Sequence, residues 1–170
     1  MSDELILVDI FDRPLGHGEK LDVHQRGLLH RAFSVFLFDG DKMLLQRRAE
    51  GKYHSGGLWA NSCCSHPRYG EELEEAVHRR LRQELGVDCA VEERFSFVYR
   101  TEFADGLSEY EYDHVFTGEY SGTVCPAADE IAEVRWMTLD ELASAMTREP
   151  QKFASWFIIA ASRLIRSMQK

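Results

Sequence analysis

Three carboxylates recur at every second position of the run Ser108-Glu109-Tyr110-Glu111-Tyr112-Asp113-His114. A strand's period of two puts Glu109, Glu111 and Asp113 on one face and Tyr110, Tyr112 and His114 on the other. Adjacent acids on one face repel unless something cationic neutralises them. Alone, they read as the solvated face of an edge strand; beside a cation, they read as ligands. Three of the seven histidines, His24, His30 and His66, offer imidazole, the commonest ligand for divalent transition metals. With Glu109 and Glu111 they make a set of three nitrogen and two carboxylate donors. Five donors exceed the four of a structural zinc and leave an octahedron one open position, which suits a manganese-, magnesium- or zinc-type ion with catalytic access. Each histidine taken singly also reads as an ordinary surface or core residue.

A second group is basic. Lys20, Arg47, Arg48, Lys52 and Arg80 lie near expected strand ends, a loop or a helix, where some could converge as a clamp for a small phosphorylated ligand. Strand alternation points Arg47 away from Arg48. Cys64 stands two residues before His66, and a nearby metal or cation would lower its pKa and make it a usable acid or base. The bland alternative is a small buried hydrophobe.

The elements that must carry these residues follow from periodicity and punctuation. Phe33 to Phe38 reads as a buried strand, Asp39-Gly40 as a hairpin turn and Met43 to Leu45 as the returning strand. Gly51 to Pro67 holds too much Gly and Ser for a regular element, yet it concentrates His, Cys, Trp and Asn, which marks a functional loop. From Glu71 to Leu85, apolar residues at Leu73, Ala76, Val77, Leu81 and Leu85 define a helix that Gly86 ends. Arg94 to Phe103 and Glu109 to Thr117 alternate as strands around an Asp105-Gly106 turn, and Ile131 to Met137 is a further strand. Thr138-Leu139-Asp140-Glu141 is a capping box. A terminal helix follows, with an apolar face of Phe153, Trp156, Phe157, Ala160, Leu164, Ile165 and Met168. Strands on both sides of a central helix, then more helices, predict an α/β fold whose mixed sheet is covered on two faces.

The 170 residues are 44% apolar and 29% charged, which excludes disorder, and no linker divides them, so one domain over residues 1–170 is expected. A net charge of -9 disfavours nucleic acid, whose phosphates need a broad cationic surface. The N-terminus is acidic where a leader peptide is basic, and no apolar run approaches the ~20 residues that span a bilayer. Cys63, Cys64, Cys89 and Cys125 form no C-x-x-C pair, which suits a reducing cytoplasm. A small-molecule substrate, no membrane, and a monomer or weak homodimer are expected.

Gly70-Glu71, then Ala76, Arg79, Leu81, Glu84, Gly86 and Val87, resemble the Nudix box, which implies an α/β/α sandwich with a central mixed sheet. The box departs from its pattern at Ser65, Arg80 and Gln83, leaving only Glu84 of its clustered glutamates and so removing most of what metal-assisted hydrolysis needs. His30-Arg31-Ala32-Phe33-Ser34, Arg47-Arg48-Ala49, Leu58 to Pro67, Arg79 to Gly86, Glu109-Tyr110-Glu111 and Phe153-Ala154-Ser155-Trp156 resemble one Nudix branch much more closely. That branch is the type I, metal-dependent isopentenyl-diphosphate delta-isomerases. The resemblance implies interconversion of isopentenyl and dimethylallyl diphosphate, with Cys64 and Glu111 as opposed proton carriers and Tyr99 hydrogen-bonding beside them. It implies Trp156 as the aromatic face that stabilises a carbocation; Trp156 and Trp59 also suit packing. It further implies diphosphate contacts from Lys20, Arg48, Lys52 and Arg80, and a magnesium ion shared with Glu84. His24, His30, His66, Glu109 and Glu111 would hold manganese, magnesium or zinc. A Nudix hydrolase of a nucleoside diphosphate derivative and a non-catalytic diphosphate-binding module are the competing readings.

Overall fold

The computed structural model describes residues 3–52 and 54–169. Met1 and Ser2 of the acidic N-terminal stretch, Tyr53 of the functional loop, and Lys170 lie outside the described residues. One nine-stranded mixed sheet is built around β3 (His30–Asp39), whose residues from Ala32 to Phe38 are all buried. A strand covered on both faces needs such a continuous apolar run. Along one edge, β3 pairs in parallel with β8 (Ser108–Glu119), from His30 opposite Glu111 to Phe38 opposite Glu119. The hairpin partner β7 (Glu92–Glu102) closes on β8 through the turn at Gly106, where φ is +83°.

Three strands divide the rest of β3. β1 (Glu4–Val8) meets it at His30, β6 (Cys63–Ser65) spans Phe33 to Val35, and β4 (Lys42–Arg48) pairs only at Phe38 and Asp39. Because β4 leaves β3 after two pairs, β6 can pair with β3 and bring the Cys64 backbone opposite Ser34. β2 (Pro14–Glu19) pairs with β1, and β5 (Trp59–Ala60) and β9 (Ile131–Thr138) pair with β4.

The pleat sorts the core into two layers. Phe33, Val35 and Leu37 pack with Val77, Leu81 and Leu85 of α2 (Leu73–Leu85), whereas Phe36 and Phe38 pack with Phe157, Ala160 and Leu164 of α4 (Ser155–Met168). The expected sandwich is therefore present. α3 (Leu139–Arg148) has the full capping box: Glu141 N–H donates to the Thr138 hydroxyl, and Thr138 N–H donates to the Glu141 carboxylate.

Several boundaries differ from the sequence reading. α2 starts at Leu73 rather than Glu71, because Glu71 turns its carboxylate back onto Arg79. The functional loop contains β5 and β6, held by backbone pairing to β4 and β3 despite their composition. The hairpin of β1 and β2, and the helix α1 (Lys20–Arg26), are additions that periodicity did not reveal. Phe153 precedes α4, and Met168 at its end is exposed rather than part of the apolar face. Among the described residues, no helix is long and apolar enough to cross a membrane.

Candidate active site

The histidines and acids of the sequence reading meet where α1, β3, β6 and β8 adjoin. His24 Nδ1 donates to the Lys20 carbonyl at 2.5 Å, which turns Nε2 to within 3.2 Å of Glu109 Oε1. His30 Nδ1 donates to the Leu28 carbonyl at 2.9 Å, and its Nε2 faces Glu109 Oε2 at 3.8 Å and Glu111 Oε1 at 3.5 Å. His66 Nε2 lies 2.8 Å from Glu111 Oε1. The ligand-type atoms of His24, His30, His66, Glu109 and Glu111 all fall within 4.8 Å of one another. Backbone carbonyls that hold Nδ1–H leave Nε2 for an ion.

The fit to a cation is visible in what the protein leaves unsatisfied. His30 Nε2 and Glu109 Oε2 are buried with no hydrogen-bond partner, and burying such groups unpaired is costly. A divalent ion would satisfy both. The acids are also not solvated, which corrects the simpler reading of their alternation: Glu109, Glu111 and Asp113 are all buried, with α1 packed against β8. Burial, then the charge of Glu111, raises Glu109. Burial alone would raise Glu111 too, but the polar groups that face it, Glu109, His30 and His66, outweigh burial and hold that carboxyl well below the ordinary range. Burial and the neighbouring Glu111 raise Asp113, although the Ser34 hydroxyl donates to it at 2.8 Å. Burial pushes His66 down to about 3, which keeps it neutral, the form that binds metal.

Beside this cluster opens a cavity of about 210 Å³. Cys64, Tyr99, Glu111 and Trp156 line it together, so the thiol and the acid share one space. The Tyr99 hydroxyl donates to Glu111 Oε2 at 2.5 Å. Cys64 Sγ lies 3.8 Å from Arg48 Nη1, yet burial pushes the thiol up to about 12 because desolvation of a thiolate outweighs that cation. Arg48 does lower the thiol as expected of a neighbouring cation, but desolvation is the larger effect and the net shift is upward. Trp156 is buried in the first turn of α4, where its indole N–H donates to Asn61 Oδ1 at 3.2 Å and Arg48 stands 5.2 Å from the ring centre. It both packs and lines. Trp59 only packs, under Arg135 and outside the cavity lining.

Lys20, Arg48, Lys52, Arg80 and Glu84 line the same cavity. Arg47 points away to Glu50 and Glu133, as alternation requires. Arg80 pairs with Glu84 one turn along α2, and with Glu130 at 3.3 Å. Lys52 also pairs with Glu130. Burial would lower Arg80, but Glu84 more than offsets it, so that guanidinium stays charged. Gln46 bridges Ser62 O and Glu84 Oε2 at 2.8 and 3.2 Å. Sequence reasoning missed Gln46, Glu130, Asn61 and His54. Asn61 and His54 sit in the chemically loaded loop and were findable there, whereas no local pattern marks Gln46 or Glu130.

The NUDIX domain family matches residues 28–157. Isopentenyl-diphosphate Delta-isomerase 2 of Aromatoleum aromaticum is 49% identical over 166 residues, spanning 97% of this chain and 88% of that protein. The isopentenyl-diphosphate Delta-isomerase of Burkholderia multivorans is 49% identical over 158 residues, spanning 92% and 90%. The chain belongs to the NUDIX isopentenyl-diphosphate Delta-isomerase family. The crystal structure of a MutT protein from Methanosarcina mazei shares the fold, with a TM-score of 0.67 at 19% identity over 84% of this chain and 96% of that one. Within the isomerase family the departures of this α2 from the Nudix box acquire a physical sense. Arg80 occupies the place of a glutamate and neutralises the remaining Glu84.

Proposed function

We propose that the chain interconverts isopentenyl diphosphate and dimethylallyl diphosphate. A proton adds to the terminal methylene carbon of the alkene, a tertiary carbocation forms at the branched carbon, and a proton leaves the carbon between it and the oxygen-bearing methylene. The observation that carries the reading is that Cys64, a thiol held protonated by desolvation, and the Glu111 carboxylate line one cavity against an indole wall. Two carriers holding one proton between them suit a reversible transposition: each donates in one direction and accepts in the other. Tyr99 fixes the Glu111 oxygen that exchanges the proton. Trp156 offers its π face to the cation while the buried site keeps water from capturing it.

The diphosphate is an anchor rather than a leaving group. Lys20, Arg48, Lys52 and Arg80 hold it, and its binding positions the alkene between the two carriers. His24, His30, His66, Glu109 and Glu111 would hold manganese or magnesium, zinc being the third candidate, and Glu84 would share a magnesium with the substrate. Bound there, the ions supply positive charge that discharges the buried carboxylates and the diphosphate. Against a hydrolase stands the replacement of the other box glutamates by Arg80 and Gln83, which leaves Glu84 alone on that helix face.

The deciding experiment is proton NMR of the protein with isopentenyl diphosphate, magnesium and manganese in deuterated buffer. Allylic methyl signals that grow with deuterium incorporated are expected. Release of inorganic phosphate would instead make it a hydrolase, and saturable binding without turnover would make it a binding module.

A further inference from the structure

His54 lies outside the five-residue cluster yet touches both the cluster and the cavity wall. It is delivered by a tightly folded strap: Gly57 N–H donates to the Arg48 carbonyl at 2.9 Å, Arg48 N–H donates to the Leu58 carbonyl at 2.9 Å, and Ser55 takes a left-handed φ of +54°. A non-glycine residue adopts that conformation only where its surroundings impose it. The ring that results is 5% exposed. Its face stacks on Phe103 at 4.6 Å and 14°, and its edge meets Trp156 at 6.0 Å and 89°. Its Nε2 is in direct contact with Glu109 Oε1, and its Nδ1 is 3.2 Å from the Ser55 hydroxyl.

The consequence falls on Glu109. Oε1 of that carboxylate is taken up by His54 and His24, and Oε2 is the oxygen left without a partner, facing His30 Nε2. With Glu109 ionised as a ligand, a ring N–H held against one oxygen fixes the plane of the carboxylate and aims the other inward. Partners of this kind around metal-bound carboxylates are worth about 10- to 100-fold in metal affinity.

We propose that His54 is a positioning residue, which holds Glu109 Oε1 so that Oε2 points into the ligand cluster and whose ring braces Trp156. The proposal rests on the metal-binding reading of the cluster and not on the isomerase chemistry. Manganese affinity is to be measured by paramagnetic resonance of free Mn²⁺ during titration of the wild type, His54→Phe and His54→Gln. Phe keeps the stack on Phe103 without a donor; Gln keeps a donor without a ring. Wild type should bind tightly, His54→Phe about 10- to 100-fold more weakly, and His54→Gln should recover most of the loss. A wild type that binds no manganese would overturn the reading of the cluster. Wild-type affinity in His54→Phe would leave that reading standing and overturn the role of His54. If His54→Phe does not fold, His54→Ala takes its place: a loss of about 10- to 100-fold that His54→Gln largely recovers supports the hydrogen bond, and wild-type affinity in His54→Ala overturns it.

Discussion

On the proposed reading the chemistry turns on Cys64, which lines the cavity together with Glu111. Desolvation keeps this half-buried residue a thiol at neutral pH, the form that can deliver a proton, and Arg48, 3.8 Å away, is placed to stabilise the thiolate left behind. Replacing Cys64 by Ala removes the carrier but none of the cations of the clamp. Turnover in Cys64→Ala should fall by about 10²- to 10⁴-fold, the usual worth of a positioned acid or base, while affinity for a non-reacting diphosphate analogue stays close to wild type. Steady-state kinetics beside a binding titration checks this, and an undiminished kcat would remove the thiol from the reaction. Spacing marked a cysteine two before a histidine and acids at a strand's period, but only the family resemblance joined Cys64 to Glu111, Tyr99 and Trp156, because they lie on separate elements. Glu130 was not legible, because its partners Lys52 and Arg80 lie far away in the chain and only the fold brings them together.

At the scale of elements, α2 is the part most firmly specified. Its apolar residues face the sheet, and Gly86 closes it with φ +64° and an N–H to the Arg82 carbonyl. Its N-terminal side is fastened by Glu71, which accepts from Arg79 Nε at 2.6 Å and Nη2 at 2.8 Å and from the Arg68 backbone at 2.9 Å. The hydrogen bond from Arg79 holds that carboxyl below its usual 4.5, against a smaller opposing effect of burial. A depressed folded-state pKa contributes stability above the unfolded value and loses it as pH falls through the folded one. Glu71→Gln should therefore cost about 1 kcal/mol at pH 7, after allowance for partial exposure, and progressively less below pH 4.5. Urea unfolding at pH 7 and pH 3 tests it, and a gap that widens in acid would reverse the assignment. Periodicity could announce this helix over its 13 residues, whereas β5 with two and β6 with three are too short to show any period. α1 hid for the same reason: only Val23 and His24 of its seven residues are buried.

For the whole molecule, the cluster joins α1 to β3, β8 and the residue that follows β6, so what neutralises it also binds the N-terminal part of the chain to the rest. Without an ion, the fold keeps three buried carboxyls beside four imidazoles, in a chain that already carries a net charge of -9. An ion that binds the folded state alone stabilises it by about 2.7 kcal/mol at a hundredfold excess over its Kd. For a chain of this size, each kcal/mol moves the melting temperature by about 2–4 °C, so manganese at that excess should raise it by about 5–11 °C over the chelator-treated protein. Simple screening of the negative surface would help any salt, so sodium chloride at matched ionic strength is the control. The selective ion should, in addition, restore hydrogen-exchange protection to Lys20–Arg26 before it affects α2, because His24 is the residue that α1 adds to the proposed ligand set. Equal melting temperatures with manganese and with sodium would mean that the five residues hold no ion, and that α1 is fastened to the sheet by packing alone.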